Sequence, residues 1–566
     1  MLNADSRSLM AKNMKVEYGK TGTYFYWIGL ILIGVFLPTS RFGLSVSQFY
    51  LLVLWFLLGL DMRSINKMFP EKSFVSRILS RIAFSFKGIW YNIKTRFIDF
   101  LHNKVAVVMV SLYVMHLLAL IYTSDFQYAL KDLRIKLPLL AFPLIMSSMK
   151  PLNRKQFDTV LWFFIGSVFF VTILGTVKFI RRDFVDVREL SVFVSHIRVS
   201  LCMVFSIFVL GYYFVKRNYS LIVKSIIVFL MIWFLWQITI WESFISLLII
   251  ASLCFILMMY FVFRSTKTNV KICMVVLSVV LISGLIYYPY KVVKDYMNPV
   301  KVDVTQLDTH TKLGNPYIFD TINFVVEDAR YVGLYLSKNE MLNAWNKRSV
   351  KKINTEGDDG YRALVRYLTS KDLRKDAEGV DSLSEDDIRN IENGIANYNY
   401  IYNPSFRTRI MKVMVAYNNY KVGNANGSSV FQRVEYIKAS CGIIKDNLVL
   451  GVGTGDIVDA FANYYEKTNS KLRPEYRLRS HNQYLAITVA FGIVGLIWFL
   501  FSMIYPALAD KKNRNYLYLV FLFIMMISML TEDTLETQIG VTLFAYFNSF
   551  LVFACPPKNF RLFTRK

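Results

Sequence analysis

The sequence predicts an all-α polytopic membrane protein with about 12 transmembrane helices. Hydrophobic residues make up 55% of the 566 residues, charged residues make up only 19%, and the mean hydropathy is +0.38. Apolar runs such as FYLLVLWFLLGL and LIVKSIIVFLMIWFLWQITI approach the roughly 20 residues that a helix needs to cross a bilayer. A soluble chain of this length would not need 46 Phe and 35 Tyr.

The predicted spans follow one another along two stretches of the chain, separated by a long hydrophilic segment. The segment near 135–149 is short, and Pro138 and Pro143 can bend it, because neighbouring helices are able to satisfy the freed carbonyls. The spans lie near residues 24–39, 44–60, 105–124, 135–149, 156–180, 198–215, 221–240, 244–263, 270–289, 483–503, 516–531 and 538–555.

The short loops predict the orientation of the chain. If the N-terminus is cytoplasmic, every inside loop is basic, as in KPLNRK, RSTK and KKNR, and the short outside loops are mixed or acidic. The positive-inside rule therefore predicts that both termini are cytoplasmic. Residues 61–104 are basic and amphipathic, and we expect them to lie on the cytoplasmic surface. The first 20 residues show no apolar stretch ending in a cleavage site, so no cleaved signal peptide is predicted.

The spans divide the chain into three parts. Residues 1–289 hold nine spans, and residues 483–566 hold the last three spans and a cytoplasmic tail. Residues 290–482 form the large outside segment, which we predict to be a helical loop domain over the bundle.

Two helix starts stand out in this outside domain. Ser384 is followed three residues later by Asp387, which is a capping-box pattern. Ser429, with Gln432 three residues on, predicts a second helix that carries Arg433 in its first turn.

The sequence gives little support to several functional classes. The net charge of +26 comes from Lys and Arg spread among the spans, so no nucleic-acid partner is predicted. HExxH, DxD and CxxC motifs are missing from the sequence, and neither a metal nor a cofactor is predicted. GVGTGD at 451–456 lacks the GK[ST] ending of a phosphate-binding loop, which favours a tight turn. Gly492 and Gly495 indicate a close contact between helices.

Polar residues at the outside ends of spans form the candidate site. His481 precedes a span and Arg198 begins another, and the topology places Arg433, Arg477 and Arg479 on the same side. Each arginine alone is expected to be an interfacial anchor. Together, however, guanidinium groups can bind phosphates bidentately, and a neutral histidine can take a proton from a hydroxyl. This set suits a lipid-diphosphate donor and a hydroxyl acceptor.

An acidic loop lies on the same side of the membrane. The sequence TEDTLETQ contains Glu532, Asp533 and Glu536 between the last two predicted spans. Two interpretations are equally compatible with it, a solvated turn and a group of carboxylates that orients a ligand. Both remain open at this point.

At these residues the chain resembles the bacterial O-antigen ligase family, which is related to O-antigen polymerases and protein O-oligosaccharyltransferases. The resemblance rests on HIR at 196–198, QRVEYIKASCGIIKDNLVLGVGTGD at 432–456 and RSHNQYLAITVAFGIVGL at 479–496. The segments at 116–145 and 530–547 are similar to Bacteroidetes-type variants of this family. Residues 300–425 look like additional material, because the outside loop is longer than in many members.

The resemblance implies a GT-C-type glycosyltransferase of the bacterial inner membrane that acts in lipopolysaccharide biosynthesis. Such ligases move a glycan from undecaprenyl diphosphate to lipid A-core without metal or nucleotide, and we predict a single displacement with inversion. His481 would be the base and Arg198 and Arg433 the diphosphate binders, with Arg479 as a further donor-binding candidate. Polymerase, protein O-oligosaccharyltransferase and, from another class, lipid-linked sugar transporter remain the alternatives.

Overall fold

The computed structural model describes residues 20–57, 90, 93–298, 302–320, 326–327, 329–509 and 515–556. Within these ranges, eight helices are long and apolar enough to cross a membrane, and three shorter apolar helices accompany them. The chain is therefore a multi-pass membrane protein, as predicted. The N-terminal 19 residues, the greater part of the predicted surface segment 61–104 and the tail after 556 lie outside the described residues.

The first group of helices agrees closely with the predicted spans. A further short helical stretch covers 93–102. The named helices are α1 (Lys20–Thr39), α2 (Arg41–Leu57), α3 (Lys104–Leu118), α4 (Phe126–Lys136), α5 (Pro138–Ser147), α6 (Arg154–Arg181), α7 (His196–Lys216), α8 (Leu221–Ile240), α9 (Phe244–Arg264) and α10 (Thr268–Met297).

The predicted span near 135–149 differs from a single straight helix. It is the second half of a broken helical path made of α4 and α5, which meet at Leu137. Pro138 has no N–H to donate to the preceding turn, so the hydrogen-bond ladder is interrupted there. Because α4 also carries buried Asp132 and Lys136, hydropathy alone detected only the apolar half.

The hydrophilic segment is mainly helical but also contains two small antiparallel sheets, which the all-helical prediction omitted. Strands β1 (Ile318–Asp320) and β4 (Gly333–Leu336) pair, and β2 (Val326–Glu327) pairs with β3 (Arg330–Tyr331). The helices are α11 (Lys338–Arg348), α12 (Asp359–Ser370), α13 (Ala377–Asp381), α14 (Glu385–Glu392), α15 (Asn399–Tyr402), α16 (Phe406–Lys421), α17 (Ser429–Asp446) and α18 (Ile457–Lys467).

The two predicted helix starts have different outcomes. Ser384 and Asp387 form the predicted capping box at the start of α14. The prediction for α17 was wrong by one residue, because the cap is Ser428, whose side chain accepts a hydrogen bond from the Phe431 N–H. Ser429 is instead the first helical residue, and this places its carbonyl and hydroxyl beside two arginines described below.

The last helices return the chain to the bundle. These are α19 (Gln483–Ala509), α20 (Tyr516–Ser528) and α21 (Gln538–Ser549), and a π-helical turn follows at Phe550–Ala554. Helix α7 is the most buried of the eight long helices. Phe205 of α7 packs edge-on against Phe547 and Phe521, with ring centroids 4.9 and 5.4 Å apart. This packing fixes the helix that begins at the candidate site.

The GVGTGD segment is a turn that docks into a break in α19. Gly492 has φ 63° and ψ −165°, a conformation that is open essentially to glycine alone. The N–H groups of Val452 and Gly453 donate to the carbonyls of Val489 and Ala490, both at 2.9 Å. The close contact predicted at Gly492 is thus made with Val449 and Leu450, immediately before this turn, rather than with another helix.

Candidate active site at the domain end of the bundle

A cavity of about 1050 Å³ lies between the hydrophilic segment, called the domain below, and the N-terminal ends of α7 and α19. Residues from α7, α16, α17 and the loop before α21 line it. Of the six side chains predicted for the site, Arg479 does not line the cavity. The other five do, namely Arg198, Arg433, His481, Glu532 and Asp533.

Arg198 is positioned by the first turn of the buried helix α7. Its side chain is 8% exposed, and Nη1 donates to Glu532 Oε2 at 2.9 Å. Nη2 also reaches the hydroxyl of Thr537 at 3.5 Å. A buried guanidinium needs a counter-charge and hydrogen-bond acceptors, and the acidic loop supplies both.

Arg433 approaches the same carboxylate from the domain. It lies in the first turns of α17, and its Nη2 donates to Glu532 Oε1 at 2.6 Å. Nη1 reaches the Ser429 carbonyl at 3.5 Å, while the buried Nε has no hydrogen-bond partner in the described part of the chain. Glu532 therefore joins the two arginines, and the Arg433 side chain, which is 28% exposed, still lines the cavity.

His481 has an unusual backbone conformation, with φ 45° in the left-handed region. A non-glycine residue there costs about 1–3 kcal/mol, and the neighbouring residue holds the strained turn in place. Asn482 donates through Nδ2 to the Leu530 carbonyl at 2.8 Å and accepts the Leu485 N–H at 3.0 Å. The turn is thus anchored both to α19 and to the end of α20.

The imidazole of His481 faces Asp533. Nδ1 lies 3.4 Å from Asp533 Oδ1, which is within ion-pair distance but lacks hydrogen-bond geometry. The Tyr436 ring packs beside it, with the two ring centroids 5.5 Å apart. The side chain remains 32% exposed, so it is accessible to a ligand in the cavity.

The acidic loop is not a solvated turn. Glu532 and Asp533 are 5% and 8% exposed, so the structure excludes the first of the two interpretations left open by the sequence. One oxygen or nitrogen atom from each of His481, Glu532 and Asp533 could converge on a metal ion, since these atoms lie within 4.8 Å of one another. Both Glu532 oxygens, however, already accept from guanidinium groups, whose positive charge opposes a divalent cation.

The donor-binding role predicted for Arg479 is not supported by its position. Its Nη1 donates to the Tyr128 hydroxyl at 2.8 Å and to Glu536 Oε2 at 3.3 Å, away from the cavity. Glu536 neutralises the charge of Arg479, so this guanidinium makes a contact within the protein and does not face a ligand in the cavity. Arg477 likewise turns away and donates to the carbonyls of Leu472 and Ser470.

Next to the site lies a buried ion-pair network that was not predicted from the sequence. Lys136 Nζ donates to Asp132 at 2.6 and 2.7 Å and to Glu536 at 3.0 Å. Burial alone would raise the pKa of the Glu536 carboxyl, but Lys136 and Arg479 outweigh it and hold this pKa well below its usual range. The network anchors the loop that carries the carboxylates of the cavity.

The signal for this network was present in the sequence, although it was ambiguous. Asp132 and Lys136 are four residues apart on one helix face, which is the spacing of a helical ion pair. Arg409 of α16, which also lines the cavity, gave no comparable signal, because it lies in the segment interpreted as additional material.

Residues 386–500 match a protein-family model that is described as O-antigen ligase. The matched segment contains Arg433 and His481, whereas Arg198 and the acidic loop lie outside it. No curated protein matches the chain. The family match confirms the resemblance that the sequence motifs predicted.

Proposed function

We propose, from the O-antigen ligase match and the geometry of the cavity, that this membrane protein transfers a glycan from undecaprenyl diphosphate to a hydroxyl of lipid A-core. The observation that carries the proposal is that Arg198, Arg433 and His481 line one cavity, where both arginines meet at Glu532. Two phosphate-binding groups beside one base are what a lipid-diphosphate donor and a hydroxyl acceptor require.

His481 is the proposed general base. With Nδ1 directed at Asp533, the other ring nitrogen, Nε2, is left for the acceptor hydroxyl. The hydroxyl oxygen forms a bond to the anomeric carbon while the bond from that carbon to the phosphate oxygen breaks. The diphosphate leaves with the bonding electron pair, His481 takes the proton, and the anomeric configuration inverts. Asp533 stabilises the resulting imidazolium.

Arg198 and Arg433 are the proposed binders of the departing diphosphate. Negative charge grows on the phosphate oxygen as the glycosidic bond breaks, and preorganised guanidinium groups stabilise that charge more than they stabilise the ground state. Glu532 fixes both arginines before the donor arrives. The Arg433 side chain stays 28% exposed and lines the cavity, so it can contact the phosphate oxygens while it holds Glu532.

The proposed reaction needs a defined membrane orientation. The basic short loops support an inner-membrane protein with cytoplasmic termini, whose cavity then faces the periplasm. The lipid donor would reach the cavity from the bilayer and the lipid A-core acceptor from the same leaflet. In the described spans, buried charges such as Lys136 and Arg198 lie toward helix ends, which favours an enzyme over a transporter with a charged path across the bilayer.

The test is a gene deletion complemented by the wild-type gene, with lipopolysaccharide gels and extracted carrier lipids as readouts. A ligase predicts that the glycan ladder on lipid A-core disappears and that full-length glycan accumulates on undecaprenyl diphosphate. If the carrier holds single repeat units instead, the protein is a polymerase. If the ladder is intact, both assignments are wrong, and the loss of glycosylated periplasmic proteins would identify a protein O-oligosaccharyltransferase.

A further inference from the structure

Part of the cavity is lined by cations that the proposed reaction does not use. Arg409 of α16 and Arg188 of the 3₁₀ helix Val187–Leu190 line this part. Within the described residues, seven Lys and Arg side chains but only four Asp and Glu side chains line the whole cavity. This excess of positive charge favours a ligand with more than one anionic group.

Arg409 lacks a counter-ion in the described part of the chain. Its Nη2 donates to the Ser429 hydroxyl at 3.3 Å, and no described carboxylate oxygen lies within 4.0 Å of its nitrogens. Burial lowers the pKa of the Arg409 guanidinium, Glu242 opposes this shift, and the cations Arg188 and Arg433 reinforce it. A partly buried guanidinium with one weak neutral side-chain contact among the described residues has unused capacity for an anion.

The two carboxylates whose charges act on Arg409 have other partners. Glu242 accepts from Lys412 Nζ at 2.9 and 3.0 Å. Asp186 accepts the backbone N–H of Arg188 at 2.8 Å, and its carboxylate lies 3.7 Å from Arg188 Nε. Glu242 is thus paired with Lys412, and Asp186 contacts Arg188 through Oδ1.

The position of Arg409 links this group to the proposed donor site. Arg409 contacts the hydroxyl of Ser429, and Arg433 contacts the carbonyl of the same residue. The two guanidinium groups therefore flank one residue at the start of α17. Arg198, Arg433 and Glu532 together carry one net positive charge, whereas a diphosphate diester carries two negative charges, so the donor site alone leaves negative charge uncompensated.

We propose that Arg409 and Arg188 form a second anion-binding subsite of the cavity, which takes a phosphate or carboxylate group. Its assignment to a particular substrate rests on the proposed function, but its existence does not. Two sources fit this chemistry, the second phosphate of the lipid diphosphate and an acidic group on the glycan or acceptor. The guanidinium fork of Arg409 would bind the oxyanion directly, and Arg188 would add charge at the rim.

Binding of inorganic pyrophosphate to the full-length protein in nanodiscs tests the subsite without reference to transfer. Calorimetric titrations at fixed ionic strength would compare Arg433→Gln with the double variant Arg433→Gln/Arg409→Gln. We expect Arg433→Gln to retain measurable binding and the added Arg409→Gln to weaken it about tenfold or more, the effect of losing a charge-assisted contact. Arg409→Lys, which keeps the charge but loses the fork, should retain part of the binding.

The matched control is Arg389→Gln, because the Arg389 side chain is 70% exposed in the same domain and its loss changes the net charge equally. If the wild type binds no pyrophosphate, or if Arg433→Gln/Arg409→Gln binds within twofold of Arg433→Gln, the proposal is wrong. Because the readout is binding, a protein that fails to transfer glycan could still possess the subsite. A protein that transfers glycan could likewise lack it.

Two further probes distinguish the sources of the anion. Weaker binding of undecaprenyl diphosphate to Arg409→Gln, with unchanged binding of glucuronate, would assign the subsite to the donor diphosphate. The opposite pattern would assign it to an acidic sugar. If Arg409→Gln matches the wild type with both probes, the subsite does not contribute to ligand binding and the proposal is overturned.

Discussion

Arg198 and Arg433 belong to helices far apart in the sequence, yet their guanidinium groups hold the two oxygens of a single carboxylate. One arginine begins a buried bundle helix and the other begins a domain helix, and Glu532 joins them at 2.9 and 2.6 Å. The relationship preorganises two phosphate-binding groups before any ligand is present. It also predicts how the site responds when the carboxylate is removed.

Glu532→Gln is expected to convert the pair of arginines into a stronger site for an external anion. Removing one partner of a buried ion pair is destabilising, by about 3–5 kcal/mol in typical cases, because the remaining charges are uncompensated. Added pyrophosphate should therefore raise the thermal midpoint of this variant more than it raises that of the wild type. Glu385→Gln is the control, since Glu385 is 81% exposed in its ion pair with Arg348. An equal or smaller pyrophosphate effect in Glu532→Gln would contradict the prediction.

Asp533→Asn is expected to slow glycan transfer through His481. Losing the carboxylate beside Nδ1 removes electrostatic stabilisation of the imidazolium, and we expect a loss of roughly 10-fold in rate, which corresponds to about 1.4 kcal/mol. The decisive measurement is a double-mutant cycle with His481→Ala. If the two residues act as a unit, Asp533→Asn should cost almost nothing in the His481→Ala background. Additive losses would show that Asp533 acts independently of the histidine.

Lys136→Met tests the buried network under the acidic loop. The substitution leaves Asp132 and Glu536 without their shared cation, so we expect lower protein levels and a lower thermal midpoint. Lys224→Met provides the comparison, because Lys224 lies near the start of α8 and its ammonium, among the described residues, contacts just the Phe214 ring, 5.9 Å away. Equal midpoints for the two variants would mean that the network contributes no net stability.

Gly492→Ala tests the break in α19. A Cβ there would lie 2.1 Å from the Val449 carbonyl oxygen, and the φ of 63° is unfavourable for alanine. We expect this variant to destabilise the folded protein strongly. Gly284→Ala is the matched control, because a Cβ at Gly284 meets nothing within 4 Å and alanine favours the helix. Wild-type thermal stability in Gly492→Ala would show that the tight contact of Gly492 with Val449 and Leu450 is not a structural requirement.

Periodicity and hydropathy predicted the elements that depend on local sequence. The bounds of α8 match the predicted 221–240 segment, and the capping box at Ser384 follows from side chains only three residues apart. The same reasoning detected only part of the α4–α5 path. Asp132 and Lys136 reduce the hydropathy of α4, and their mutual neutralisation depends on Glu536 from a distant loop.

The candidate site was predictable as a set of residues but not as a geometry. Motifs indicated Arg198, Arg433 and His481, whereas the choice of partner for each cation depends on tertiary packing. Arg479 shows the limit of prediction from sequence. It is an arginine predicted on the same side of the membrane as Arg433, yet its ion pair with Glu536 holds it outside the cavity. Which arginine faces a ligand is decided by where the carboxylates lie.

The most direct test of the proposed mechanism is the rate of glycan transfer by purified His481→Ala in nanodiscs, with a defined undecaprenyl-diphosphate glycan and lipid A-core. The proposal predicts a loss of about 10²–10⁴ in rate, as for other general bases, while pyrophosphate binding stays close to that of the wild type. His310→Ala, an exposed histidine of the domain, should transfer glycan at the wild-type rate. If His481→Ala transfers glycan as fast as His310→Ala, His481 is not the base and the proposed mechanism is wrong.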